Sequence, residues 1–476
     1  MHPRTQLAVI AAHIALTACH LAGRPGSSLP GRIALKIDPH IVSPLAAQVR
    51  SGIIVTCGTN GKTTTSNLLC SALEAQGFRV VSNRLGANMK EGVAAALSTA
   101  ADPLGHLDAD FACLEIDEAS AVHILQYLQP DYMIITNLFR DQLDRYGEID
   151  LTMKALEEAI RLAPSMTLVI NGDDPLTAFL AKKSGHRVVT FGVSEKVAGA
   201  GATEDVSSGE VRESRFCENC GASLKYEFYH FSQLGVYHCP SCGFGRPAIN
   251  YDACGVRLSP ELSLDVIESG AATVDSSSPQ KIKPAFREST AAPVRISAPM
   301  TGFYNVYNIL AVYSVLRELL LPADKLNEVL RDYKPQFGRG EVFHVGQNSE
   351  QKILLNLAKN PAGFNQNIAA MLQDRSAKDL IIVINDNAQD GRDVSWLWDV
   401  DFDRLADDTI RSITVSGLRA LDMQLRLKYV EIESVCAPTV EEAIARCLAD
   451  GCGNLYVLVN YTALYEAHRY LEGIQK

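Results

Sequence analysis

Ile53-Ile54-Val55-Thr56-Cys57-Gly58-Thr59-Asn60-Gly61-Lys62-Thr63-Thr64-Thr65 is the stretch that decides how this chain is read. Its apolar start predicts a strand, its two glycines a tight turn, and the residues from Lys62 a helix that stops at Gly77. A Gly-rich turn in that position aims successive backbone N–H groups at an anion, with the positive end of the helix behind them. The Gly-Lys-Thr ending points to a nucleotide phosphate: Lys62 is placed for the β- and γ-phosphates and the Thr63 hydroxyl for Mg²⁺. Thr59, Asn60, Gly61, Lys62, Thr63 and Thr64 are therefore the candidate ATP-binding residues.

Outward from this loop, apolar strands are expected at 111–116, 132–136, 167–170 and 188–191, separated by helical stretches such as 151–162. Such alternation predicts an α/β fold with a mostly parallel sheet. Carboxylates gather where these strands end. Glu115 is the candidate to hold Mg²⁺ together with Thr63, and Asp117 and Glu118 are its rivals. Asn137-Leu138-Phe139-Arg140-Asp141-Gln142-Leu143-Asp144 closes the next strand and Asn171-Gly172-Asp173-Asp174-Pro175 the one after. Helical sequence resumes at 305–320, and 333–338 has the character of a linker. A second alternating series follows, with strands expected at 353–357, 380–384, 413–415, 429–432 and 455–459. The expected division is an N-terminal helical segment over 1–50, a central ATP-binding domain over 51–335 and a Rossmann-like domain over 336–476.

Between about 210 and 250 the alternation breaks. Cys217-Glu218-Asn219-Cys220 and Cys239-Pro240-Ser241-Cys242 lie eighteen residues apart, within the spacing of a tetrahedral zinc site inserted into the central domain. Four thiolates leave zinc no open position, so such a site is structural. Gly221 and Gly243 permit the turns that let backbone N–H groups face the sulfurs. A redox dithiol is the competing reading, disfavoured because two matched pairs flank a plausible hairpin. The stretch 269–293, rich in Ser, Ala, Thr and Pro, predicts a mobile surface loop.

Composition excludes several classes. The chain has 476 residues, 47% of them hydrophobic and 21% charged, ordinary for a soluble protein of two or three domains. A formal charge of -11 argues against a nucleic-acid partner, and Lys225 is the only Lys or Arg between Cys217 and Cys242. Twelve cysteines, eight of them scattered through apolar stretches, fit a reducing cytoplasm better than a disulfide framework. Residues 7–21 are apolar, and Leu16-Thr17-Ala18-Cys19 superficially matches a lipoprotein processing box after Arg4. His13, His20 and the nucleotide chemistry downstream favour a packed or amphipathic helix instead. No stretch reaches the ~20 apolar residues that span a bilayer.

Taken in order, the loop at 58–65, Glu115, the segment 137–147, the turn 171–175, Gly302-Phe303-Tyr304-Asn305-Val306-Tyr307-Asn308 and Gly338-Arg339 resemble the motif set of the Mur ligases and folylpolyglutamate synthases. The resemblance implies an enzyme that phosphorylates a carboxylate with ATP and lets an amine attack the acyl phosphate. It gives Asn305, Asn308 and Arg339 to the adenosine part of ATP. Two departures stand out: Gln142 replaces a metal-binding His of several of these ligases, and 191–196 shows no counterpart of their carbamylated lysine. Only 57 residues precede Gly58, too few for a separate domain of normal size to hold a UDP-linked substrate.

Two further stretches, Asn356-Leu357-Ala358-Lys359-Asn360-Pro361-Ala362-Gly363-Phe364-Asn365 and Asn385-Asp386-Asn387-Ala388-Gln389-Asp390-Gly391-Arg392-Asp393-Val394-Ser395-Trp396, are closely similar to the branch of the family that amidates lipid II. Membership of that branch implies that ATP activates the α-carboxylate of D-glutamate in the stem peptide of lipid II. Ammonia from a GatD-like class I glutamine amidotransferase then converts it to D-isoglutamine. The substrate is membrane-borne, so the implied location is cytoplasmic, at the inner face of the cell membrane. Asp386, Asp390 and Asp393 follow the strand expected at 380–384, and turn chemistry competes with function for all three. The resemblance assigns Asp393 to the partner's catalytic triad. A glutaminase nucleophile within this chain is not expected, because Cys452 precedes a strand instead of following one. Two other readings share these motifs: a folylpolyglutamate synthase-like ligase, and a nucleotide-gated zinc-ribbon binding protein.

Overall fold

The computed structural model describes residues 2–23, 26–84, 87–141, 149–200, 214–259, 261–269, 292–335, 338–346 and 351–475. Gln142 and all but the ends of the loop expected at 269–293 lie outside them, as do parts of the 137–147, 210–250 and 333–338 segments.

Three helices open the chain: α1 (Pro3–Leu21), α2 (Leu29–Ile37) and α3 (Val42–Ala46). An alternating series follows: β1 (Gly52–Cys57), α4 (Lys62–Glu74), β2 (Val80–Ser82), α5 (Lys90–Ala100), β3 (Phe111–Glu115), α6 (Ala121–Leu125), β4 (Tyr132–Ile135), α7 (Ile149–Arg161), β5 (Thr167–Asn171), α8 (Pro175–Ser184) and β6 (Arg187–Val193). All six residues of β1 are buried, as a continuous apolar run requires of a strand covered on both faces. A hairpin, β7 (Lys225–Phe231) and β8 (Leu234–His238), precedes β9 (Tyr251–Arg257), β10 (Leu262–Glu268) and β11 (Val294–Ala298), after which come α9 (Tyr304–Glu318) and α10 (Asp324–Asp332).

The large sheet has the order β11-β10-β9-β6-β5-β4-β1-β3-β2. It is parallel from β9 to β2, and the expected mostly parallel sheet is extended by an antiparallel β9–β10–β11 edge. β1 leads to β2 on one side and its neighbour β4 leads to β5 on the other, so a crevice opens between the carboxyl ends of β1 and β4. The phosphate-loop sequence falls there.

The N-terminal segment is packed, as the small residues of its first helix allow. Thr5, Ala8, Val9, Ala12, Ala15 and Cys19 form the buried face of α1, which lies against α2 and α5. The Thr5 hydroxyl donates to Asp38 at 2.7 Å, and His13 bonds the Ala101 carbonyl at 2.8 Å. Helix α2 approaches α5 so closely that a Cβ at Gly31 would lie 1.8 Å from the Glu91 carbonyl oxygen.

The second sheet contains β12 (Arg339–Val345), β13 (Gln351–Leu357), β14 (Lys378–Val383), β15 (Ile410–Ser416), β16 (Val435–Cys436) and β17 (Asn454–Val459), in the order β12-β13-β17-β14-β15-β16. Only its β12–β13 pair is antiparallel. Its helices are α11 (Pro361–Gln373), α12 (Ala420–Tyr429), α13 (Val440–Ala449) and α14 (Tyr461–Ile474). The strand expected at 429–432 is not formed. Met423 and Leu427, four residues apart, bury one face of α12. The helix then closes with Glu431 at φ 59 and the Ile432 amide donating to the Leu427 carbonyl at 3.0 Å. The β-branched residues there belong to a helix end, and the strand starts later, at Val435.

Gly31→Val should force α2 away from α5 and lower stability by about 1–3 kcal/mol. Urea unfolding is the check, and a midpoint equal to wild type would mean that the N-terminal helices do not pack as described.

Candidate nucleotide cleft and cysteine cluster

The turn after β1 is held by the carboxyl end of β4. The Thr59 amide donates to Asn137 O at 2.8 Å, and the Asn60 amide to Asn137 Oδ1 at 2.9 Å. The Thr136 hydroxyl donates to Asn60 O at 2.7 Å, and the Phe139 amide to Thr59 Oγ1 at 2.9 Å. Gly58 and Gly61 adopt φ of 117° and 85°. A Cβ at Gly61 would meet Asn308 Oδ1 at 2.2 Å, so the loop needs glycine for space as well as conformation.

Lys62 opens α4 and is buried. Its ammonium donates to Gly58 O at 2.6 Å and to Glu118 Oε1 at 3.0 Å, and Glu118 also accepts from the Gly58 amide at 2.8 Å. Burial alone would lower the Lys62 pKa, but the Glu118, Asp117 and Glu115 carboxylates outweigh it and push the pKa upward. Glu115 takes the next hydroxyl, with Thr63 Oγ1 donating to Glu115 Oε2 at 2.7 Å. Asn88 Nδ2 donates to the other carboxylate oxygen at 3.1 Å, and Asn83 Oδ1 accepts from the Glu115 amide at 2.8 Å. The rival carboxylates thus divide the work: Glu118 neutralises Lys62 and Glu115 pairs with Thr63. Adjacent ligands around Mg²⁺ at 2.0–2.1 Å lie about 3 Å apart, which the Thr63–Glu115 pair fits.

Other sequence candidates also converge on the loop. Asn308 Oδ1 accepts from the Thr65 hydroxyl at 3.3 Å, and Asn308 Nδ2 donates to Asn305 Oδ1 at 3.0 Å. Arg339, at the start of β12, donates to Thr63 Oγ1 at 2.9 Å. Asn308 and Arg339, assigned by resemblance to the adenosine part of ATP, therefore stand against the phosphate loop. Two neighbours were missed. Asn360 caps α11 by accepting from the Gly363 amide at 2.8 Å, and its Nδ2 donates to Asn60 Oδ1 at 3.1 Å. Lys359 forms an ion pair with Asp141. Both lie in the Asn356 to Asn365 stretch already singled out, but partners 300 and 218 residues away in the chain leave no local signal. A cleft beside the loop is lined by Thr59, Glu118, Phe139, Arg140 and Asp141. In the Asn171 to Pro175 turn, burial pushes the Asp174 carboxyl up to about 7, although the Leu138 and Leu176 amides donate to it.

The four cysteines of the insertion come together. Their sulfurs all lie within 4.8 Å of one another, with Cys217–Cys242 at 3.6 Å and Cys220–Cys239 at 3.5 Å. A tetrahedron with Zn–S bonds near 2.3 Å has edges of about 3.8 Å, so these thiols fit zinc. The knuckle turns are formed as well: Gly221 N donates to Cys217 O at 2.8 Å and Gly243 N to Cys239 O at 3.2 Å. Amides of Asn219 and Cys220 face the Cys217 sulfur. The hairpin between the pairs reaches the nucleotide cleft. Gln233 Nε2 donates to Leu138 O at 2.6 Å, and the Phe231 ring lies 6.0 Å from that of Phe139.

Asp393 lies apart, beyond β14. It accepts from the Ser395 amide at 2.8 Å and the Ser395 hydroxyl at 2.9 Å, an Asx-type turn opening the 3₁₀ helix Ser395–Asp399. Asp386 pairs with Arg419 at 2.8 Å, and the Thr462 amide donates to Asp390 at 2.8 Å at the start of α14. Cys452 is buried ahead of β17, and burial raises its thiol to about 11.

A phosphate loop with a carboxylate-paired threonine thus meets a second α/β sheet at this cleft. Two family models match: the Mur ligase middle domain over residues 55–237 and the MurT ligase C-terminal domain over 357–464. The chain is 35% identical to "Lipid II isoglutaminyl synthase (glutamine-hydrolyzing) subunit MurT" of Staphylococcus aureus strain COL, over 97% of this chain and 96% of that one. It is 32% identical to the subunit of the same name from Streptococcus pneumoniae R6, over 100% and 98%. Among solved structures, a pseudomurein peptide ligase type C from Methanothermus fervidus aligns with a TM-score of 0.65 at 20% identity, over 91% of this chain and 80% of that one. MurF from Thermotoga maritima in complex with ADP aligns at 0.61 and 14%, over 92% and 84%. The chain belongs to the MurT family of Mur-type ligases.

Carefully purified protein should carry one zinc per chain, and Cys217→Ser should lose the metal and lower the thermal midpoint. Elemental analysis finding no zinc in the wild type would overturn this assignment.

Proposed function

We propose that the chain is the synthetase subunit of a lipid II isoglutaminyl synthase. The observation that carries this reading is the full-length likeness to subunits of that name, joined to a cleft in which Lys62 pairs with Glu118 and Thr63 with Glu115 at the phosphate loop. The α-carboxylate of D-glutamate attacks the γ-phosphorus of ATP, and ADP leaves with the electrons of the broken P–O bond. Ammonia then attacks the acyl phosphate carbon, losing a proton, and inorganic phosphate departs to leave D-isoglutamine.

Loop amides and Lys62 hold the phosphates, and the Lys62 ammonium, released from Glu118, meets charge developing on the transferred group. Thr63 and Glu115 would hold Mg²⁺, which would supply charge neutralisation to the phosphate oxygens. Arg339 brings a further positive charge to Thr63 from the second sheet, so the cleft is complete only when the two sheets are closed on each other. The four cysteines of the ribbon would hold zinc in a structural role, with no open position for a reactant.

Ammonia comes from a GatD-like glutaminase that docks where β14, β15 and β17 end. This region exposes large apolar side chains: Leu418 and Leu421 are 65% and 73% exposed, and Tyr461 and Tyr465 are 49% and 70% exposed. A patch of that kind marks a protein interface. Asp386 and Asp390 are engaged by Arg419 and Thr462, whereas Asp393 bonds, among the described residues, to Ser395 alone in a surface turn at the rim. There it orients the imidazole of the partner's Cys–His pair and stabilises the imidazolium that forms.

Lys62→Ala is expected to leave the fold intact and cut ATP-dependent amidation by roughly a hundredfold or more, because the transferred phosphoryl group loses its charge partner. Near-normal product formation in a coupled assay would remove the cleft assignment. For Asp393→Asn in the two-subunit complex, glutamine hydrolysis and glutamine-driven amidation should fall by about 10²–10⁴-fold, while amidation from added ammonium is retained. Unchanged glutaminase activity, or equal loss of the ammonium-driven reaction, would return Asp393 to the turn.

A further inference from the structure

Helix α1 has two apolar faces, and the fold uses one. Its inward face is the small-residue stripe that packs on α2 and α5. On the opposite side, at 100° per residue, Leu7, Ile10, Ile14 and Leu21 fall within about 60° of one another. They are 58%, 40%, 66% and 86% exposed. Leu104, 59% exposed, adjoins the start of the stripe, where Gln6 Nε2 donates to its carbonyl at 3.1 Å. A stripe of Leu and Ile in water is costly unless something covers it.

Charge identifies the cover. Residues 1–50 contain Arg4, Arg24, Arg32, Lys36 and Arg50 against a single acid, Asp38, in a chain of net charge -11. Asp38 is buried and bonded to Thr5, so its charge does not face solvent. Arg50 is engaged by Asp108 and Asp110. Arg32 and Lys36 are exposed, one turn apart on α2, and make no ion pair among the described residues. A basic segment carrying an exposed aliphatic stripe matches an anionic lipid surface, where aliphatic side chains enter the acyl boundary and cations meet headgroup phosphates. It matches less well a partner protein, whose docking faces favour aromatic anchors such as those of the second sheet.

We propose that α1 lies flat on an anionic phospholipid bilayer, with Leu7, Ile10 and Ile14 in the interface and Arg32 and Lys36 on the headgroups. Among the described residues no helix is long and apolar enough to cross a membrane, so the mode is adsorption. The value of such docking to the enzyme rests on the reading that its substrate is lipid-borne: both reactants then share a surface, and their encounter becomes a search in two dimensions.

The test is sedimentation of the full chain, alone and with its glutaminase, with vesicles of phosphatidylglycerol and phosphatidylcholine or of phosphatidylcholine alone. The protein is expected to pellet with the anionic vesicles and to be released by salt. Combined Leu7→Ser, Ile10→Ser and Ile14→Ser, or combined Arg32→Glu and Lys36→Glu, should each weaken vesicle binding by about tenfold or more. The same variants should keep the wild-type thermal midpoint and amidate a lipid-free stem peptide at the wild-type rate, while slowing on vesicle-borne substrate. Wild type that ignores anionic vesicles, or apolar and charge variants that pellet like wild type, would overturn the proposal. So would a self-associated or glutaminase-bound state in light scattering that the serine substitutions dissolve, because the stripe would then belong to a protein. Failure of the wild type on lipid-free and lipid-borne peptide alike would refute the ligase reading while leaving the vesicle result to decide this one.

Discussion

A buried ammonium sets the terms for the nucleotide cleft. Lys62 is enclosed at the head of α4, and a charge removed from water must be answered locally. Glu118 answers it at 3.0 Å, with Asp117 and Glu115 adding to the field. Phosphate can displace Glu118 from the ammonium without leaving the lysine uncompensated, so binding exchanges one anion for another. The loop geometry, the carboxylates at the end of β3 and the polar lacing to Thr136 and Asn137 all serve to keep that exchange in place.

The inserted ribbon takes part at a distance. Its hairpin holds the Leu138 carbonyl through Gln233, and the residue after Leu138 is bonded to Thr59 of the phosphate loop. The path from the cysteine cluster to the cleft is therefore one hairpin and one loop long. Metal in the cluster would stiffen the far end of that brace, which would give a site without catalytic ligands a reason to sit beside the candidate nucleotide cleft.

Much of this was written in short stretches of sequence. The strand–turn–helix at 52–74 and the paired cysteines declare themselves because their geometry is local, fixed by residues a few positions apart. What stayed hidden depends on register and on distant chain. Glu115 could be put ahead of Asp117 and Glu118 from sequence, but the separate part of Glu118 on Lys62 showed only in the structure, where β3 pairs with β1 and sets Glu115 beside Thr56. The Asn60–Asn360 contact has no local signature, and α1, expected as a packed or amphipathic helix, is apolar on two sides, so periodicity alone could not say which face packs. Residues 429–432 read as a strand because Val and Ile favour strands, yet Glu431 accepted the left-handed conformation that usually falls to glycine and let a helix end there.

Contacts between the loop and the second sheet are of one kind: an amide pair from Asn60 to Asn360, an arginine on a threonine hydroxyl, and the ion pairs Lys359–Asp141 and Arg140–Asp399. The apolar clusters run along the faces of each sheet, and across this seam, among the described residues, only Ala362 joins a cluster of the first. Parting such a seam wets groups that water accepts readily, at a net cost of about 0.5–1.5 kcal/mol per neutral hydrogen bond. The two halves thus meet as a latch rather than a weld, one whose grip weakens with ionic strength and which thermal motion can lift to admit a reactant or discharge a product.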